Sequence, residues 1–323
     1  MGRTKNKKII VHIGPLPPPY GGISVFLERL KDRSKDISFI DEDEIFKNRR
    51  SIMKWLLEKI FDKRRKLFVF HSAYLRNRLF FLLLSKVSIH QYALVLHGNG
   101  LENDFKSKNI FYKFLIIKLL NNSKYVRCIN SHIYDFVKRN TENKNVFIKN
   151  AFIPPDLNNL EQIYKGYPKE LKNILDKKNN IFLINASRIE LYGKIDLYGI
   201  DMSLKLVKEL KNMNKDVFLI IAIADEKFNY DYIKTMKKYT KDNCIEDNVY
   251  WWLGQKKIWP LFKKINVFLR PTYEDGYGIS IDEAIMMGAK AIASDVCERN
   301  PNAIIFKNRD FEDLKKKVLK IID

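Results

Sequence analysis

Short apolar segments alternate with helical segments along almost the whole chain, and this alternation limits the possible folds more than any other feature. In the first half, runs rich in β-branched and aromatic residues predict strands with helices between them. These strands are Ile9-Ile13, Leu67-His71, Tyr92-His97, Tyr125-Asn130 and Val146-Lys149. Because they are apolar along most of their length, they indicate a parallel sheet covered on both faces.

A second series of strands follows Asn150-Ala-Phe-Ile-Pro-Pro-Asp156, whose prolines predict a linker. These strands are Ile181-Ala186, Val217-Ile223, Val249-Leu253, Val267-Arg270, Ala289-Ala293 and Ala303-Phe306. A chain of 323 residues is also long for one core. We therefore predict two Rossmann-like, doubly wound α/β domains, 1–155 and 156–323, with ligands bound in a cleft at the carboxyl ends of their strands.

The chain is strongly basic, with 59 Lys and Arg against 38 Asp and Glu and a formal charge of +21. This charge favours nucleic acid, an anionic membrane surface or a phosphorylated substrate as partner. We find no zinc-ligand spacing, no aromatic RNA-binding motif and no basic helix suited to a groove, so nucleic-acid binding is the weaker alternative. Three widely spaced cysteines, Cys128, Cys244 and Cys297, predict reduced, buried thiols and a cytoplasmic protein.

The stretch from Arg270 to Asp295 predicts a strand end, a glycine turn, a short helix and another strand. Gly276 and Gly278 allow close approach of the backbone, and the helix start offers free N–H groups, so the pattern predicts an anion site. Asp275 on the turn and Glu283 on the helix would flank the ligand. The helical spacing predicts a buried stripe, from which Glu283 points away, made of Ile281, Ala284, Ile285 and Gly288.

Further candidates follow other predicted strands. The proline-rich loop ending in Gly21 and Gly22 is either a backbone site for phosphate or sugar or a tight turn. His97, beside Gly98, is either a cleft residue or a core histidine with its hydrogen bonds satisfied. The candidate cations are Arg188 and Lys194, which could neutralise a pyrophosphate or be exposed loop residues, and Arg270, which needs a carboxylate or phosphate partner.

The pattern Asp275-Gly-Tyr-Gly-(x4)-Glu283-Ala-(x3)-Gly288-(x2)-Ala-Ile-Ala-Ser-Asp295 resembles the donor-site signature of family-4 glycosyltransferases of the GT-B fold. This resemblance implies that Glu283 binds the ribose hydroxyls of a nucleotide-sugar. It implies that the donor's diphosphate and sugar meet the backbone of Gly276, Tyr277 and Gly278, with Asp275 at the sugar. It also implies that Gly21 and Gly22 approach the phosphates and that His97 lies near the donor sugar.

By the same resemblance, the enzyme transfers a hexose-type sugar with retention of configuration and needs no cofactor or bound metal. The implied role is cell-surface polysaccharide synthesis, with a glycan or lipid-linked acceptor. Two positions depart from the family pattern. The first acid is usually glutamate, so Glu274 or Asp275 could reach the sugar; and Tyr198 stands where the family has a diphosphate-binding lysine, for which Lys194 is the candidate replacement.

These assignments give a mechanism in which the helix start after Gly278, Arg188 and Lys194 stabilise the departing diphosphate. Asp275 and His97 would orient the sugar. A catalytically inactive nucleotide-sugar-binding subunit is the alternative, because of Tyr198. The segment Ile52-Lys66 has one apolar side and a basic end, as a helix at an anionic membrane surface would, although an ordinary packed helix shows the same pattern. The expected location is cytoplasmic or peripheral on the inner face of the cell membrane.

Overall fold

The structure is a computed structural model that describes residues 9–254 and 257–322. The chain divides into two compact units. The first runs through Pro17 and resumes over Ile23–Ile153, and the second contains Pro18–Gly22 and the chain from Pro154 onward. The main division therefore lies inside the proline-containing stretch Asn150–Asp156.

The strands of the first unit are β1 (Ile9–Gly14), β2 (Ser38–Asp41), β3 (Lys66–Phe70), β4 (Gln91–Leu96), β5 (Val126–Cys128) and β6 (Val146–Ile148). They form one parallel sheet in the order β2-β1-β3-β4-β5-β6. Each strand predicted for this half is present. The edge strand β2 was not predicted, because its four residues contain only two apolar ones, too few to show a pattern.

The helices of the first unit are α1 (Gly22–Asp32), α2 (Glu42–Phe46), α3 (Arg49–Phe61), α4 (Leu75–Val87), α5 (Gly100–Ser107), α6 (Ile110–Asn122) and α7 (Ser131–Arg139). Asparagine caps fix three of the helix starts. The side chains of Asn48, Asn109 and Asn130 each accept a hydrogen bond from the backbone N–H three residues later. Such caps stabilise a helix by about 1 kcal/mol.

The strands of the second unit are β7 (Ile181–Arg188), β8 (Leu191–Tyr192), β9 (Ile195–Asp196), β10 (Phe218–Asp225), β11 (Val249–Leu253), β12 (Val267–Arg270), β13 (Lys290–Ser294) and β14 (Ile304–Phe306). Six of them form a parallel sheet in the order β11-β10-β7-β12-β13-β14. The other two, β8 and β9, form a small antiparallel hairpin that the sequence did not predict. All six predicted strands of this half are confirmed.

The helices of the second unit are α8 (Leu160–Lys165), α9 (Lys169–Lys177), α10 (Ile200–Asn212), α11 (Tyr230–Asp242), α12 (Ile279–Met286) and α13 (Phe311–Ile322). Alternate residues of β7 pack into two different hydrophobic clusters, Phe182 and Ile184 into one and Leu183 into the other. The sheet is therefore covered on both faces, as predicted for a doubly wound domain.

Helix α12 corrects part of the predicted burial pattern. Ile281 and Ala284 are buried as predicted, but Gly288 is exposed because the helix ends at Met286. Glu283 does not point away from the interior, since it is only 4% exposed. A buried carboxylate on this helix strengthens the case that the helix has a role besides packing.

The two six-stranded parallel sheets with flanking helices confirm the predicted fold class. Within the described ranges, no helix is long and apolar enough to cross a bilayer.

Candidate functional site

The turn that joins β12 to α12 is held by a carboxylate between two arginines. Oδ2 of Asp275 lies 2.9 Å from Nε of Arg270 and 2.8 Å from Nη1 of Arg299. Oδ1 of the same carboxylate accepts the backbone N–H of Gly276 at 2.9 Å. Both oxygens of Asp275 are thus engaged within the turn. The sequence left two possible partners for Arg270, a carboxylate or a phosphate. In the structure its partner is the carboxylate of Asp275.

Arg299 links this turn to the loop that follows β13. Its Nη1 donates to the carbonyl of Tyr277 at 3.0 Å and its Nη2 to Oγ1 of Thr272 at 3.0 Å. Its Nε donates to the carbonyl of Ser294 at 3.1 Å, and the residue is 8% exposed. Sequence reasoning missed Arg299, although it follows a strand end, which is the criterion that selected the other candidates.

The electrostatics of the cluster keep Asp275 ionised. Burial alone would raise the pKa of Asp275, but the guanidinium groups of Arg270 and Arg299 outweigh it, so the pKa lies well below its usual range. Burial alone would lower the pKa of Arg270, but Asp275 raises it above the usual value. Two positive charges thus face one negative charge within the cluster of Arg270, Asp275 and Arg299, so the cluster by itself is positive.

Gly278 has to be glycine for two reasons. Its φ is +80°, in the left-handed region. A Cβ atom would lie 2.9 Å from Nη1 of Arg299 and 3.1 Å from Oδ2 of Asp275. The backbone therefore approaches the charged cluster where α12 begins and its first N–H groups lack helical partners. One short segment contains most of the predicted site residues, namely Asp275, predicted as catalytic, and Arg270, Glu274, Gly276, Tyr277, Gly278 and Glu283, predicted as donor-binding.

Next to Glu283 on α12 lies a second buried acid that sequence reasoning did not select. Oδ1 of Asp282 accepts a hydrogen bond of 2.5 Å from Nδ2 of Asn300, in the same loop as Arg299. Burial raises the pKa of Asp282. The loop after β13 therefore contacts both the turn before α12 and the first part of α12.

Arg188 and Lys194 come from other elements. Arg188 ends β7, where its Nε lies 2.5 Å from Oε1 of Glu190 and its guanidinium lies 4.6 Å from the ring centroid of Phe228. Lys194 is exposed in the turn between β8 and β9. The hairpin contacts the site loop, because the rings of Tyr192 and Tyr273 lie 5.6 Å apart. Neither cation has a contact with the charged cluster of the turn among the contacts described for these residues.

Tyr198, at the position of the family lysine, is part of the packed interior of this region. Its hydroxyl lies 2.9 Å from Oγ of Ser187, and the guanidinium of Arg270 lies 5.5 Å from its ring centroid. Burial raises the pKa of the Tyr198 hydroxyl, so it stays neutral at ordinary pH. The phenol can donate a hydrogen bond, but it cannot supply the charge of a lysine.

The N-terminus of α10 already has an anionic partner. The carboxylate of Asp196 is fully buried and accepts the backbone N–H groups of Tyr198 and Ile200, each at 2.9 Å. It also accepts the hydroxyl of Tyr232 at 3.2 Å. A carboxyl group of the protein therefore already occupies this helix end, which makes it a poor place for an anion of the substrate.

The predicted glycine pair, Gly21 and Gly22, belongs to the second unit. A Cβ atom on Gly21 would lie 3.3 Å from Cβ of Ser187, and Gly22 is the first residue of α1. Gly21 and Tyr198 therefore contact the same serine at the end of β7.

His97 follows β4 at the carboxyl edge of the first sheet, as predicted. Its Nε2 is 2.9 Å from Nδ1 of His71. Burial lowers the pKa of His97 to about 3, helped by the positive charges of Arg127 and Arg78. The ring is therefore neutral near pH 7. Among the described residues, no group of three or more His, Cys, Asp or Glu side chains is arranged to hold a metal ion.

Comparison with known proteins gives this arrangement a family context. Residues 168–323 match the family model for glycosyl transferases group 1. None of the curated protein sequences matches the chain significantly. Three similar solved structures each align over most of both chains at low sequence identity.

Anabaena Alr3699/HepE in complex with UDP-glucose has a TM-score of 0.71 at 10% identity, covering 98% of this chain and 90% of the other. A glycosyltransferase from Rickettsia africae has a TM-score of 0.67 at 14% identity, with coverage of 98% and 88%. Sucrose-phosphate synthase from Thermosynechococcus elongatus has a TM-score of 0.66 at 13% identity, with coverage of 97% and 90%. The chain thus has the GT-B glycosyltransferase fold, and its second unit carries the match to glycosyl transferases group 1.

Proposed function

We propose that this protein transfers a hexose-type sugar, with retention of configuration, from a nucleoside-diphosphate sugar to a glycan or lipid-linked acceptor in cell-surface polysaccharide synthesis. The observation that carries the proposal is the buried cluster of Arg270, Asp275 and Arg299 at the N-terminus of α12. Its net positive charge and the free N–H groups of the helix suit a diphosphate. The match to glycosyl transferases group 1 and the UDP-glucose bound to the Anabaena relative support the same ligand class.

The main catalytic task is to stabilise the negative charge that develops on the diphosphate as the glycosidic bond breaks. In this proposal the N–H groups at Gly278 and the two arginines of the cluster do so, and Arg188 and Lys194 add positive charge from the β7 side. Glu283 holds the ribose hydroxyls. Because both oxygens of Asp275 are engaged within the turn, we assign the sugar hydroxyls to the neighbouring Glu274. His97 keeps a proposed role of its own, contact with a substrate hydroxyl.

In this mechanism Asp275 acts by holding the turn rather than by touching the sugar. The departing phosphate accepts the proton of the acceptor hydroxyl, so the protein supplies no nucleophile. The positive charge comes from fixed arginines, and the proposal needs no bound metal or cofactor.

The test is a panel of UDP-, GDP- and other activated sugars, measured by thermal stabilisation and by release of nucleoside diphosphate. Glu283→Gln and Arg188→Ala should both lower turnover, and Glu283→Gln should also reduce thermal stabilisation by the donor. The matched control is Glu246→Gln, an exposed acid of the same unit. Turnover near the wild-type rate in both site variants would contradict the assignment.

An inactive nucleotide-sugar-binding subunit is the second candidate, and Tyr198 is the observation that favours it. A neutral phenol at the position of a lysine removes one positive charge from the diphosphate site. Binding of a donor without any release of nucleoside diphosphate, with acceptors present, would favour this candidate over the enzyme.

We further propose that the acceptor side of the protein lies at an anionic membrane surface. Helix α4 contacts both α3 and α6 in the first unit. These three helices expose large apolar side chains, most strongly Phe61 (77%) and Ile110 (82%). We call this set the apolar face; it consists of Met53, Leu57, Phe61, Leu83, Val87, Ile110, Phe111 and Phe114.

Charge at the apolar face suits an anionic bilayer. The exposed basic residues of the three helices are Arg49, Arg50, Lys54, Arg76, Lys86 and Lys118. The acidic residue in the sequence of these helices is Glu58. Apolar side chains flanked by cations bind an interface by burial in the acyl boundary and by attraction to anionic headgroups. The face extends the membrane hypothesis for Ile52-Lys66 from one helix to three.

A further inference from the structure

Three histidines form a hydrogen-bonded row across the carboxyl part of the first sheet. His12 lies in β1, His71 directly follows β3 and His97 directly follows β4, and these three strands are neighbours in the sheet. Nδ1 of His12 is 2.8 Å from Nε2 of His71, and Nδ1 of His71 is 2.9 Å from Nε2 of His97. We call these residues the histidine row.

The row is buried among aromatic and cationic groups. His71 is 1% exposed. Phe39 stacks on His12 and Phe26 lies against both His71 and His97. The charged neighbours are cations, Arg127 for all three rings and Arg78 for His97. Burial and these cations oppose an added positive charge, so each ring is neutral and carries one N–H.

Neutral rings in such a row cannot choose their tautomers independently. Each of the two hydrogen bonds needs one N–H and one bare nitrogen. If His71 carries its proton on Nδ1, it donates to His97 and must accept from Nδ1–H of His12, so all three rings are Nδ1–H. If His71 carries its proton on Nε2, all three rings are Nε2–H by the same reasoning.

The shared tautomer determines whether His97 can donate or accept a hydrogen bond at its remaining ring nitrogen. Its Nε2 is occupied by His71, so Nδ1 is the ring nitrogen left for a ligand. In the first arrangement Nδ1 of His97 donates a hydrogen bond, and in the second it accepts one. The tautomer of His97 is thus coupled to those of His71 and His12, neither of which has to touch the ligand.

We propose that His71 and His12 are positioning residues that fix the tautomer of His97 and thereby decide whether it donates to or accepts from the substrate hydroxyl. The hydroxyl as ligand rests on the proposed sugar transfer, whereas the coupling of the three tautomers rests on the geometry of the row alone. The role resembles that of a carboxylate or carbonyl that orients a catalytic imidazole through its other nitrogen.

The test is nitrogen NMR of the whole protein labelled with ¹⁵N-histidine, in which the shift of each ring nitrogen shows whether it carries a proton. The chain has five histidines, so single substitutions can assign them. At pH 7 we expect His12, His71 and His97 to be neutral and to share one tautomer. A mixed set, with one ring Nδ1–H and another Nε2–H, would overturn the proposal without any variant or ligand.

His71→Phe fills a similar volume and removes both hydrogen bonds. We expect the ring of His97 then to average between tautomers, and kcat for transfer to fall by about 10-fold or more, with a much smaller change in KM for the donor. If this variant does not fold, His12→Phe removes one bond at the less buried end, and should leave His71 and His97 sharing one tautomer. A His12→Phe protein in which these two rings differ would contradict the coupling.

The control is His132→Gln, a histidine outside the row, which should leave the three tautomers and kcat unchanged. The outcomes for the row and for sugar transfer are separable. If no nucleotide-sugar stabilises the protein, the proposed function fails while the ligand-free spectra still test the row. If donors bind and turn over but the three tautomers disagree, the row proposal fails and sugar transfer stands.

Discussion

Arg299 and Asp275 are 24 residues apart in the sequence, and Nη1 of the first lies 2.8 Å from Oδ2 of the second. This contact joins the loop after β13 to the turn before α12. It also places a second guanidinium beside a carboxylate that Arg270 already contacts. The turn is therefore set by side chains from two segments of the second unit, the stretch from Arg270 to Gly278 and the loop after β13.

Replacing Arg299 by methionine should destabilise the second unit and weaken donor binding together. The variant leaves Asp275 buried with one guanidinium instead of two, and loss of one partner of a buried ion pair costs about 3 kcal/mol. Urea denaturation would measure the free energy of unfolding, and a thermal-shift titration would measure donor binding. Lys290→Met, which removes an exposed cation at the start of β13, is the control and should change neither quantity by much.

Acidification should reduce the contribution of the Asp275 ion pairs to the free energy of unfolding. Since its pKa in the folded chain is below the ordinary value of 3.8, the pairs contribute stability that is fully present above about pH 4 and is lost as the pH falls toward the folded pKa. The free-energy difference between wild type and Asp275→Asn should therefore shrink below about pH 4. Urea titrations from pH 6 to pH 3 would measure it. An unchanged difference over this range would contradict the assignment, and the exposed Asp247→Asn is the control.

The histidine row should make the first unit sensitive to mild acid. Folding lowers the pKa of His12 from 6.5 to about 4, mainly through burial, and lowers those of His71 and His97 in the same direction. The unfolded chain then binds more protons between these limits, so the free energy of unfolding falls as the pH drops below about 6.5, by up to about 1.4 kcal/mol per pH unit for each histidine.

Circular dichroism in urea at pH 7.5 and at pH 5.5 would measure this loss of stability. A His12→Phe protein should lose less stability over the same interval than the wild type does. Equal losses in the two proteins would mean that His12 is not a source of the pH dependence.

Gly199→Ala should be far more damaging than Gly193→Ala. Both glycines have positive φ, +76° and +64°, so alanine is strained at either position by about 1 kcal/mol. At Gly199 an added Cβ would also lie 2.4 Å from the carbonyl oxygen of Pro271, whereas nothing lies within 4 Å at Gly193. We expect Gly199→Ala to lower the free energy of unfolding by at least about 3 kcal/mol. Similar free energies of unfolding for the two variants, measured by chemical denaturation, would contradict the close contact between Gly199 and Pro271.

The apolar face should bind anionic vesicles in a salt-sensitive way. The protein should sediment with vesicles of phosphatidylcholine and phosphatidylglycerol, and much less with phosphatidylcholine alone or at high salt. Leu57→Glu combined with Phe61→Glu should abolish sedimentation without changing turnover of a soluble acceptor. Met213→Glu, which changes an exposed apolar residue of the second unit, should leave sedimentation intact. Failure of the wild type to bind at any salt concentration would discard the membrane proposal.

The sequence predicted the elements of the fold well because strand and helix periodicity is local. It missed β2, which has only two apolar residues, and the hairpin of β8 and β9, whose strands have two residues each. It placed the turn segment from Arg270 to Glu283 as the centre of the site because glycine spacing and a helix start lie within one short stretch.

Arg299 was not predicted because its role depends on contacts across two strands. Its partner Asp275 is brought near by the pairing of β12 with β13, which a single sequence does not specify. The same holds for the histidine row. His12, His71 and His97 are far apart in the chain, and only the order of β1, β3 and β4 in the sheet makes them neighbours.

The arginines of the turn also bear on how tightly an anion could bind. A lysine reaching in from a flexible loop loses rotational freedom when it meets a phosphate, whereas Arg270 and Arg299 are already immobilised by Asp275 in the ligand-free chain. Their ordering entropy is thus lost during folding rather than during binding. With tyrosine at position 198 the site has one positive charge fewer than it would have with lysine. Because Arg270 and Arg299 lose little conformational entropy on binding, this preorganisation can preserve affinity for a diphosphate.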